Sequence, residues 1–320
     1  MDLSVICVNW NSVDWLRECI ASIYQNTSGI AFEIIVVDNA SPLGGVEVLE
    51  QEFPAIKLIK SCKNLGFAGA NNVGYRASLG EHVLFLNPDT KLIGPSINIL
   101  LGHMMGLPDA GIVGCKLLNS DLSVQLSSIQ KFPTILNQAL DAEYLRLRWP
   151  HCPLWAIAPL FSDDVKVMKV DIIPGACMLL RRDVFEKVGM FSEDYFMYAE
   201  DLDLNYKLRD AGFVNYYVGE TAIIHHGGRS SSRQVVSQWA TIMKINAMWQ
   251  LFRKTRGHAY GAGYRAALGS VAVARLLALA LISLFGNVVW DRRSLKSASG
   301  KWRAVLNWAI GRQSLALEDQ

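Results

Sequence analysis

The sequence has few charged residues and no paired cysteine motif. Charged residues make up 19% of the 320 positions and hydrophobic residues 51%, so a sizeable core is expected and extensive disorder is excluded. None of the 6 cysteines forms a CxxC pair, so we predict reduced, buried thiols of an intracellular protein and no zinc site. The N-terminus has no basic segment or cleavage site, and a secretory signal is not expected.

Acidic residues are scarce in the last quarter of the chain. Residues 1–232 contain 18 Lys and Arg against 26 Asp and Glu, a net charge of −8, whereas residues 233–320 contain 13 against 3, a net charge of +10. A basic tail of this kind indicates a phosphate-bearing partner, either nucleic acid or an anionic membrane. The density of Leu and Ala in the tail argues against nucleic acid.

The first 60 residues alternate between apolar runs and helical patterns. Strands are predicted at 3–8, 32–37 and 56–60, and helices at 12–25 and 46–53. The side chain of Ser12 can cap the first of these helices. Continuous apolar strands joined by helices are typical of an α/β fold with a mostly parallel sheet flanked by helices. Ligands of such sheets bind beyond the carboxyl ends of the strands.

Polar side chains follow the first two predicted strands, where such a ligand is expected. They are Asn9 and Asn11 after the first strand, and Asp38, Asn39 and Ser41 after the second. Two neighbouring polar strand ends suggest a pocket, in which Asp38 accepts hydrogen bonds from a nucleoside ring N–H or from ribose hydroxyls.

A glycine- and asparagine-rich segment, residues 63–78, follows the third strand. Its spacing matches neither the P-loop nor the dinucleotide fingerprint. A helix that starts near Ala68 would offer backbone N–H groups or Asn amides to a ligand.

An isolated carboxylate and a histidine pair also follow predicted strands. The strand at 82–86 runs into Asn87-Pro88-Asp89, and His225-His226 follow strand character at 213–224. Oxygen ligands suit Mg²⁺ or Mn²⁺ completed by substrate phosphates, and an imidazole would complete a shell begun by Asp89. A plain turn at Asp89 and structural histidines are the alternatives.

Further elements separate these motifs. A helix is predicted at 96–106, a strand at 111–118, a long excursion at 119–168, strand character at 169–180 and a short helix at 182–189.

The densest group of acids lies in residues 191–209, FSEDYFMYAEDLDLNYKLR. A helix is predicted from Glu200, and one or two acids there would serve as N-terminal caps. Glu200, Asp201 and Asp203 together repel one another, which favours a catalytic acidic site. The aromatic residues Tyr195 and Tyr198 either stack on sugar faces or belong to the core.

Six motifs in this order, VNWN, VDNAS, NLGFAGANN, NPDT, the PGACMLLRRDVFEKVGMF run with YAEDLDLNYKLRDAGF, and HHGGRSS, closely resemble glycosyltransferase family 2. The likeness is to the branch described as rhamnosyltransferases or related O-antigen and cell-wall glycosyltransferases. It covers about residues 1–232.

The resemblance implies a GT-A fold, a nucleotide-diphosphate-sugar donor, a divalent cation (Mg²⁺ or Mn²⁺) and inverting transfer by a single displacement. Asp201 resembles the general base, with Glu200 as its neighbour. Asn87 stands at the first position of the family's Asp-x-Asp motif, so Asp89 is the carboxylate left for the metal, with His225 or His226 as the late histidine. The implied donor-binding residues are Asn9, Asn11, Asp38, Asn39, Gly66, Phe67, Asn71, Asn72 and Asn87; Tyr198, Asp203 and His226 are expected on the acceptor side.

The basic tail predicts membrane-associated helices. Residues 234–252 have an amphipathic pattern, and residues 266–290 are mostly apolar but contain Arg275. An Arg inside a spanning helix costs about 2.5–3.5 kcal/mol, so we expect helices lying in the cytoplasmic membrane interface, with a transmembrane helix or a homodimer interface as alternatives. The expected anchors are Trp239, Trp249, Trp290, Trp302 and Trp308.

These observations lead to one expected organisation and function. Residues 1–232 form the catalytic domain, with a nucleotide-sugar half at 1–118 and an acceptor half at 119–232, and residues 233–320 form a helical extension. The expected activity is transfer of L-rhamnose from dTDP-rhamnose to a lipid-linked or polysaccharide acceptor at the cytoplasmic face of the membrane. A UDP- or GDP-sugar donor, a non-catalytic sugar-binding protein and a nucleotidyltransferase are the alternatives.

Overall fold

The computed structural model describes residues 1–125, 131–140, 148–149, 152, 166–227, 238–285 and 292–312, which form two compact units. The first comprises Met1–Phe132, Pro150–Phe196 and Glu200–Arg233, and the second comprises Pro133–Trp149, Met197–Ala199 and Gln234–Gln320. The predicted boundary at 232/233 lies outside the described residues.

The first unit is built on a nine-stranded sheet flanked by helices. Its strands are β1 Leu3–Asn9, β2 Phe32–Asp38, β3 Lys57–Lys60, β4 His82–Leu86, β5 Thr90–Leu92, β6 Ala110–Leu118, β7 Val167–Val170, β8 Cys177–Arg181 and β9 Val214–His225. Its helices are α1 Val13–Asn26, α2 Val48–Glu52, α3 Gly66–Arg76, α4 Ser96–Gly106, α6 Arg182–Lys187 and α7 Glu200–Asp210, while α5 Ile135–Ala139 belongs to the second unit.

The strand order is β3-β2-β1-β4-β8-β6-β9-β5, and β7 also pairs with β9. The first four strands are mutually parallel, which agrees with the apolar runs of the sequence. Beyond β4 the sheet is mixed, because β8 is antiparallel to both β4 and β6, whereas β6 and β9 run parallel. The carboxyl ends of β1, β2 and β4 therefore lie at one edge of the sheet.

Both faces of the sheet are buried. Successive side chains of a strand point to opposite faces, so Val5 and Cys7 join one core cluster while Ile6 joins the other. Leu16 of α1 packs in the first cluster, and Leu204 of α7 packs in the second. This double cover explains why the parallel strands are apolar at nearly every position.

Two local predictions need correction. The strand character expected across 169–180 is split into β7 and β8 by a turn that includes Pro174, whose nitrogen cannot donate to a ladder. Ser12 occupies the position before α1 but does not cap it with its side chain; its hydroxyl donates to Asn9 Oδ1 at 3.0 Å instead.

The second unit consists mainly of three long helices, α8 Gln238–Arg256, α9 His258–Phe285 and α10 Arg292–Ala309. Their shared core includes Ile242, Phe252, Tyr264 and Val305. Within α9, His258–Ser283 is long and apolar enough to cross a membrane, with a mean hydropathy of 2.0, and 11% of that window is buried. The apolar helix thus begins well before the predicted start at residue 266.

The tryptophans of this unit do not share one role. Trp308 is only 3% exposed and donates through Nε1 to Asn246 at 3.3 Å, so its prediction as a membrane anchor is wrong. Trp249 packs edge-on against Trp308, whereas Trp239 is 44% exposed. Trp290 lies outside the described residues. Some of the aromatic side chains are therefore buried between helices. An amphipathic pattern does not distinguish such helix packing from contact with lipid.

In the first unit, the start of α3 is held against Phe196. Gly66 has a φ of +69°, and Phe67 N–H donates to the Phe196 carbonyl at 3.1 Å. A Cβ at position 66 would lie 2.1 Å from that carbonyl oxygen. Only glycine therefore satisfies both the backbone conformation and the close approach.

We expect Gly66→Ala to destabilise the protein far more than Gly44→Ala. Gly44 has a similar φ of +62° but open space around it, so its substitution carries only the left-handed backbone cost of about 1–2 kcal/mol. Gly66→Ala adds an overpacking cost of about 1–3 kcal/mol. Urea unfolding of both variants measures the difference, and equal losses would contradict the close approach to Phe196.

Candidate active site

The ends of β1 and β2 are joined by a buried side-chain network. Asn9 Nδ2 donates to Asp38 Oδ1 at 2.7 Å and to Ser41 Oγ at 3.1 Å, and the Ser41 hydroxyl donates to Asp38 Oδ1 at 2.6 Å. Asp38 is 7% exposed and Asn9 is fully buried. The predicted strand-end residues thus lie together, and Asn9 orients the Asp38 carboxylate.

The two neighbouring asparagines fix the loops around this network. Asn11, with a φ of +54°, accepts from Leu43 N–H at 3.0 Å. Asn39 donates to Asn64 Oδ1 at 2.8 Å and accepts from Leu65 N–H at 2.8 Å. Asn39 therefore ties the end of β2 to the loop that leads into α3.

The asparagine side chains of α3 form hydrogen bonds with other residues of the chain. Asn71 Nδ2 donates to the Phe67 carbonyl at 2.9 Å. Asn72 Nδ2 donates to the Phe191 carbonyl at 2.9 Å and to Glu193 Oε1 at 2.8 Å, and Asn72 Oδ1 accepts from Phe191 N–H at 3.2 Å. Asn72 therefore positions the segment before the acidic helix, and its predicted contact with the donor finds no support in this geometry.

Asp89 and His225 face each other across the β5–β9 pair. Asp89 Oδ1 is 3.4 Å from His225 Nε2, and Asn87 Nδ2 is 3.3 Å from the same nitrogen. Asp89 is 3% exposed. The sequence motifs at residues 87–89 and 225, more than 130 residues apart, thus form one cluster.

Gln125, which the sequence did not single out, orients His225. Its Oε1 is 3.0 Å from His225 Nδ1, and its Nε2 donates to the His225 carbonyl at 2.6 Å. Because an amide oxygen only accepts hydrogen bonds, Nδ1–H is the donor in this contact, and Nε2 is the ring nitrogen that faces Asp89. An orienting hydrogen bond of this kind is usual for histidines that bind metals.

The donor set fits a Mg²⁺ or Mn²⁺ ion that is shared with a substrate. Among the described residues no group of three His, Cys, Asp or Glu side chains is arranged to hold a metal. Asp89 and His225 supply one carboxylate oxygen and one imidazole nitrogen, so phosphate oxygens and water would have to complete the shell.

The ring of His226 faces Ser120 and Trp15 and not the Asp89 carboxylate. Its backbone N–H donates to the Asp89 carbonyl at 2.9 Å, its Nδ1 is 2.8 Å from Ser120 Oγ, and its ring lies 4.5 Å from the Trp15 ring. Of the histidine pair, His225 is therefore the one beside the Asp89 carboxylate.

Asp201, in the first turn of α7, is oriented by backbone donors. Gly175 N–H donates to Oδ2 at 3.0 Å and Leu202 N–H donates to Oδ1 at 2.8 Å. Burial raises the pKa of Asp201, while these N–H groups act in the opposite direction. The result is a fixed carboxylate with a lone pair left on each oxygen.

Glu200 is a buried neutral acid at neutral pH. It is 6% exposed, and its Oε2 has no hydrogen-bond partner among the described residues. Burial, and then repulsion from Asp201, raise the pKa of Glu200 to about 8. Because the charge of Asp201 contributes to this shift, Glu200 is the member of the pair that holds its proton to the higher pH.

A buried amide, Asn205, fixes the turn that carries Gly175. Asn205 is fully buried; its Oδ1 accepts from Ile173 N–H at 3.0 Å, and its Nδ2 donates to the carbonyls of Ile173 at 3.0 Å and Asp201 at 2.7 Å. Asn205 Oδ1 also accepts a hydrogen bond from Asn215 Nδ2, at 2.8 Å. Nothing in the local sequence around Asn205 marks it as the centre of this network.

Asp203 has a structural role in place of the predicted acceptor-side one. It is 1% exposed; its carboxylate accepts from Ser192 Oγ at 2.5 Å and from Tyr195 OH at 3.3 Å, and Lys207 Nζ lies 3.8 Å away. Tyr195 is 2% exposed, so it belongs to the core and does not present a sugar-stacking face.

The metal-type cluster and Asp201 are attached to the same strand boundary. Asn87 N–H, at the end of β4, donates to the Ala176 carbonyl at 3.0 Å, and the adjacent Gly175 donates to Asp201. The turn before β8 therefore links the Asn87–Asp89–His225 cluster to the oriented Asp201 carboxylate.

The sequence and the fold match those of known proteins. The family model "Glycosyl transferase family 2" matches residues 4–189. The chain is 30% identical over 250 residues to an N-acetylglucosaminyl-diphospho-decaprenol L-rhamnosyltransferase of Mycobacterium tuberculosis, covering 74% of this chain and 80% of that protein. It is 28% identical over 229 residues to rhamnosyltransferase WbbL of Escherichia coli K12, covering 69% and 82%.

A solved structure shows the same fold. The mannosyltransferase PcManGT of Pyrobaculum calidifontis, in complex with GDP-Man and Mn²⁺, aligns with a TM-score of 0.58 at 18% identity, covering 97% of this chain and 86% of that one. The chain belongs to glycosyltransferase family 2. It is a glycosyltransferase with a GT-A fold, as the sequence motifs predicted.

We expect Glu200 to make the protein less stable as the pH rises. Its folded pKa of about 8 lies above the unfolded value, so between about pH 4.3 and 8 the folded state retains a proton that the unfolded state loses. Stability from this group is complete below that window and falls across it, with a limiting slope of about 1.4 kcal/mol per pH unit. Denaturant unfolding at several pH values should show a shallower fall in Glu200→Gln.

The exposed Glu50 of α2 provides the matched control for that experiment. Glu50→Gln removes a carboxyl group at an exposed position and should retain the wild-type pH dependence. Identical slopes in wild type and Glu200→Gln would contradict a protonated Glu200.

We expect Gln125→Leu to weaken Mn²⁺ binding about 10–100-fold, the usual cost of losing a hydrogen bond that orients a metal-ligating histidine. The free Mn²⁺ signal in electron paramagnetic resonance, measured with a nucleoside diphosphate present, reports the affinity. Gln51→Leu, at an exposed position of α2, is the control. Unchanged affinity in Gln125→Leu would show that His225 needs no such support.

Proposed function

We propose that this protein is an inverting glycosyltransferase that moves L-rhamnose from dTDP-rhamnose to a lipid-linked or glycan acceptor in cell-surface glycan synthesis. The observation that carries the proposal is the joint attachment of two groups to the turn before β8. Asn87 of the metal-type cluster bonds to Ala176, and Asp201 bonds to Gly175. An inverting transfer needs these two functions, charge neutralisation at the leaving group and a base for the acceptor.

On the donor side, we assign Asp38 to the nucleoside and the Asp89–His225 pair to a divalent cation. A bound Mg²⁺ or Mn²⁺ would neutralise charge on the departing diphosphate. The Mn²⁺ named with the mannosyltransferase PcManGT supports this assignment. Gln125 keeps His225 Nε2 directed toward the cation by holding the proton on Nδ1.

On the acceptor side, the Asp201 carboxylate takes the proton of the acceptor hydroxyl. The hydroxyl oxygen forms the new bond to the anomeric carbon while the bond from that carbon to the diphosphate oxygen breaks. The bonding electrons leave with the nucleoside diphosphate, and the configuration at the anomeric carbon inverts. Glu200, neutral at pH 7, does not compete for the proton.

The choice of sugar and acceptor is supported by the relatives. The M. tuberculosis protein is named for L-rhamnose and a diphospho-decaprenol, and the E. coli protein is named as a rhamnosyltransferase. The second candidate is the same reaction with a UDP- or GDP-sugar donor. The GDP-Man bound in PcManGT, which has the same fold, supports this candidate.

We place the enzyme at the cytoplasmic face of a membrane. The apolar window His258–Ser283, only 11% of which is buried, and the excess of Lys and Arg in the second unit support this location.

The test is a donor screen on the full-length protein with Mn²⁺. It uses dTDP-rhamnose, UDP-galactofuranose, UDP-N-acetylglucosamine and GDP-mannose, together with membranes that carry lipid-linked sugars. We expect nucleoside diphosphate release and sugar transfer from dTDP-rhamnose, lowered about 10²–10⁴-fold in Asp201→Asn because the base is lost. Glu200→Gln mimics a neutral acid and should retain most of the activity.

Three other outcomes of the donor screen would each contradict one part of the proposal. Transfer from a UDP- or GDP-sugar alone would replace rhamnose and keep the chemistry. Near wild-type transfer by Asp201→Asn, or collapse only in Glu200→Gln, would overturn the base assignment. Absence of transfer from every donor, with intact nucleotide binding, would favour a non-catalytic sugar-binding protein.

A further inference from the structure

The exposed surface of α9 carries no charge over most of the length of the helix. Leu277 is 62% exposed and Leu281 is 57% exposed. Most exposed residues between positions 262 and 281 recur three or four positions apart and so share one face of the helix. They are Ala262, Gly263, Ala266, Ser270, Val273, Ala274, Leu277, Ala278, Ala280 and Leu281. A helix face that meets water normally carries charged and polar side chains, so this face is unusual for a solvated surface.

The two arginines of α9 are directed toward α10. Arg265 Nη2 donates to the Trp308 carbonyl at 2.6 Å, and Arg275 Cζ lies 4.7 Å from the centre of the Trp302 ring. Arg275 is two positions from Val273, which places it about 200° away around the helix. Neither cation therefore lies on the exposed apolar face of α9.

Helix α10 prevents α9 from crossing a membrane. From Arg265 to Arg275 along α9, the partner on α10 changes from Trp308 back to Trp302, so the two helices are antiparallel. A cation within the hydrocarbon core of a bilayer is costly, and α10 contains Arg292, Arg293, Lys296, Lys301 and Arg303. The packed pair can therefore meet a bilayer only along its surface.

A groove between α9 and α10 extends the apolar face onto both helices. Its volume is about 520 Å³, and its lining includes Val273 and Leu277 of α9 and Leu306 and Ile310 of α10. Ile310 is 54% exposed. The exposed Arg303 lies two turns before Ile310 on the same side of α10. A basic residue therefore borders the apolar surface.

The charge of the unit favours an anionic partner. Its described tail, residues 238–285 and 292–312, contains six Lys and Arg in each part and no Asp or Glu. A second copy of the chain on this face would bring two cationic surfaces together, because a two-fold interface pairs the same patch with itself. An anionic bilayer offers acyl chains to the apolar face and negative headgroups to the cations around it.

We propose that α9 and α10 lie flat on an anionic bilayer, with Val273, Leu277 and Leu281 of α9 and Ile310 of α10 among the acyl chains. Arg303 then meets the headgroups. The inference rests on the proposed membrane location and names the surface that produces it, but it does not depend on the donor or the acceptor. The apolar window of α9 is long enough to cross a membrane, and here it lies in the plane of the interface.

The experiment measures the depth of nitroxide labels on the full-length protein bound to vesicles of equal parts phosphatidylcholine and phosphatidylglycerol. Cys62 and Cys152 are first replaced by Ser, because the other four cysteines are buried. Val273→Cys, Leu277→Cys and Leu281→Cys then carry one label each. Collisions of the label with dissolved oxygen and with a water-soluble nickel complex report its depth.

We expect the three labels to lie at one depth, about 5–10 Å into the boundary between headgroups and acyl chains. A helix along the bilayer normal would instead separate positions 273 and 281 by about 12 Å. Lys301→Cys is the control that should remain in water. Lys301 is exposed and lies nine residues before Ile310, on the opposite side of α10.

Vesicle binding provides a second measurement. Leu277→Glu and Leu281→Glu should each lower the affinity about 10-fold or more, because the apolar contact is replaced by a charge that anionic lipid repels. Leu79→Glu makes the same change at a leucine of the first unit that is 74% exposed, and it should change the affinity less than about 2-fold. Circular dichroism confirms that each variant is folded.

Four results would overturn the proposal. Depth that increases steadily along α9 would indicate a spanning helix and keep the membrane location. Labels protected from both oxygen and the nickel complex would indicate a second copy of the chain on this face, and labels exposed to the nickel complex would place the lipid contact elsewhere. Failure of wild type to bind the vesicles would reject the membrane location itself, whereas the donor screen tests sugar transfer separately.

Discussion

The amide of Asn205 joins three parts of the catalytic unit that are distant in sequence. It bonds the turn before β8 at Ile173, the first turn of α7 at the Asp201 carbonyl, and Asn215 of β9. A fully buried amide must satisfy its donors and acceptor within the protein, so the three segments have one low-energy arrangement. Asn205 holds both the turn that carries Gly175 and the first turn of α7, so the orientation of the Asp201 carboxylate follows from this interaction.

Asp89 and His225 are also brought together by backbone pairing and oriented by a side-chain amide. His225 ends the longest strand of the sheet and Asp89 precedes a short edge strand, so strand pairing brings them together. Gln125 then determines which ring nitrogen is available. Backbone pairing of β5 with β9 brings Asp89 and His225 close together, and the Gln125 amide orients the His225 ring. The two amides, Asn205 and Gln125, thus orient the side chains that strand pairing and helix packing bring together.

The sequence predicted the parallel half of the sheet and the polar ends of its strands because both depend on short-range patterns. Asn9 and Asp38 follow continuous apolar runs, and their meeting is a property of any parallel pair. Asn205 and Gln125 were missed because a single amide has no local signature, and their partners lie 32 and 100 residues away. The role of Trp308 was wrong because an apolar helix face does not reveal whether lipid or a neighbouring helix covers it.

The composition of the second unit also determines how it responds to its surroundings. A surface with both acids and bases changes sign as the pH falls, but the described tail has no carboxylate to protonate, and His258 is its only histidine. Its attraction to anions therefore persists through acidification and weakens mainly as salt screens the charges over about 8–10 Å. Ionic strength, more than proton concentration, is therefore the variable that would set the strength of this attraction.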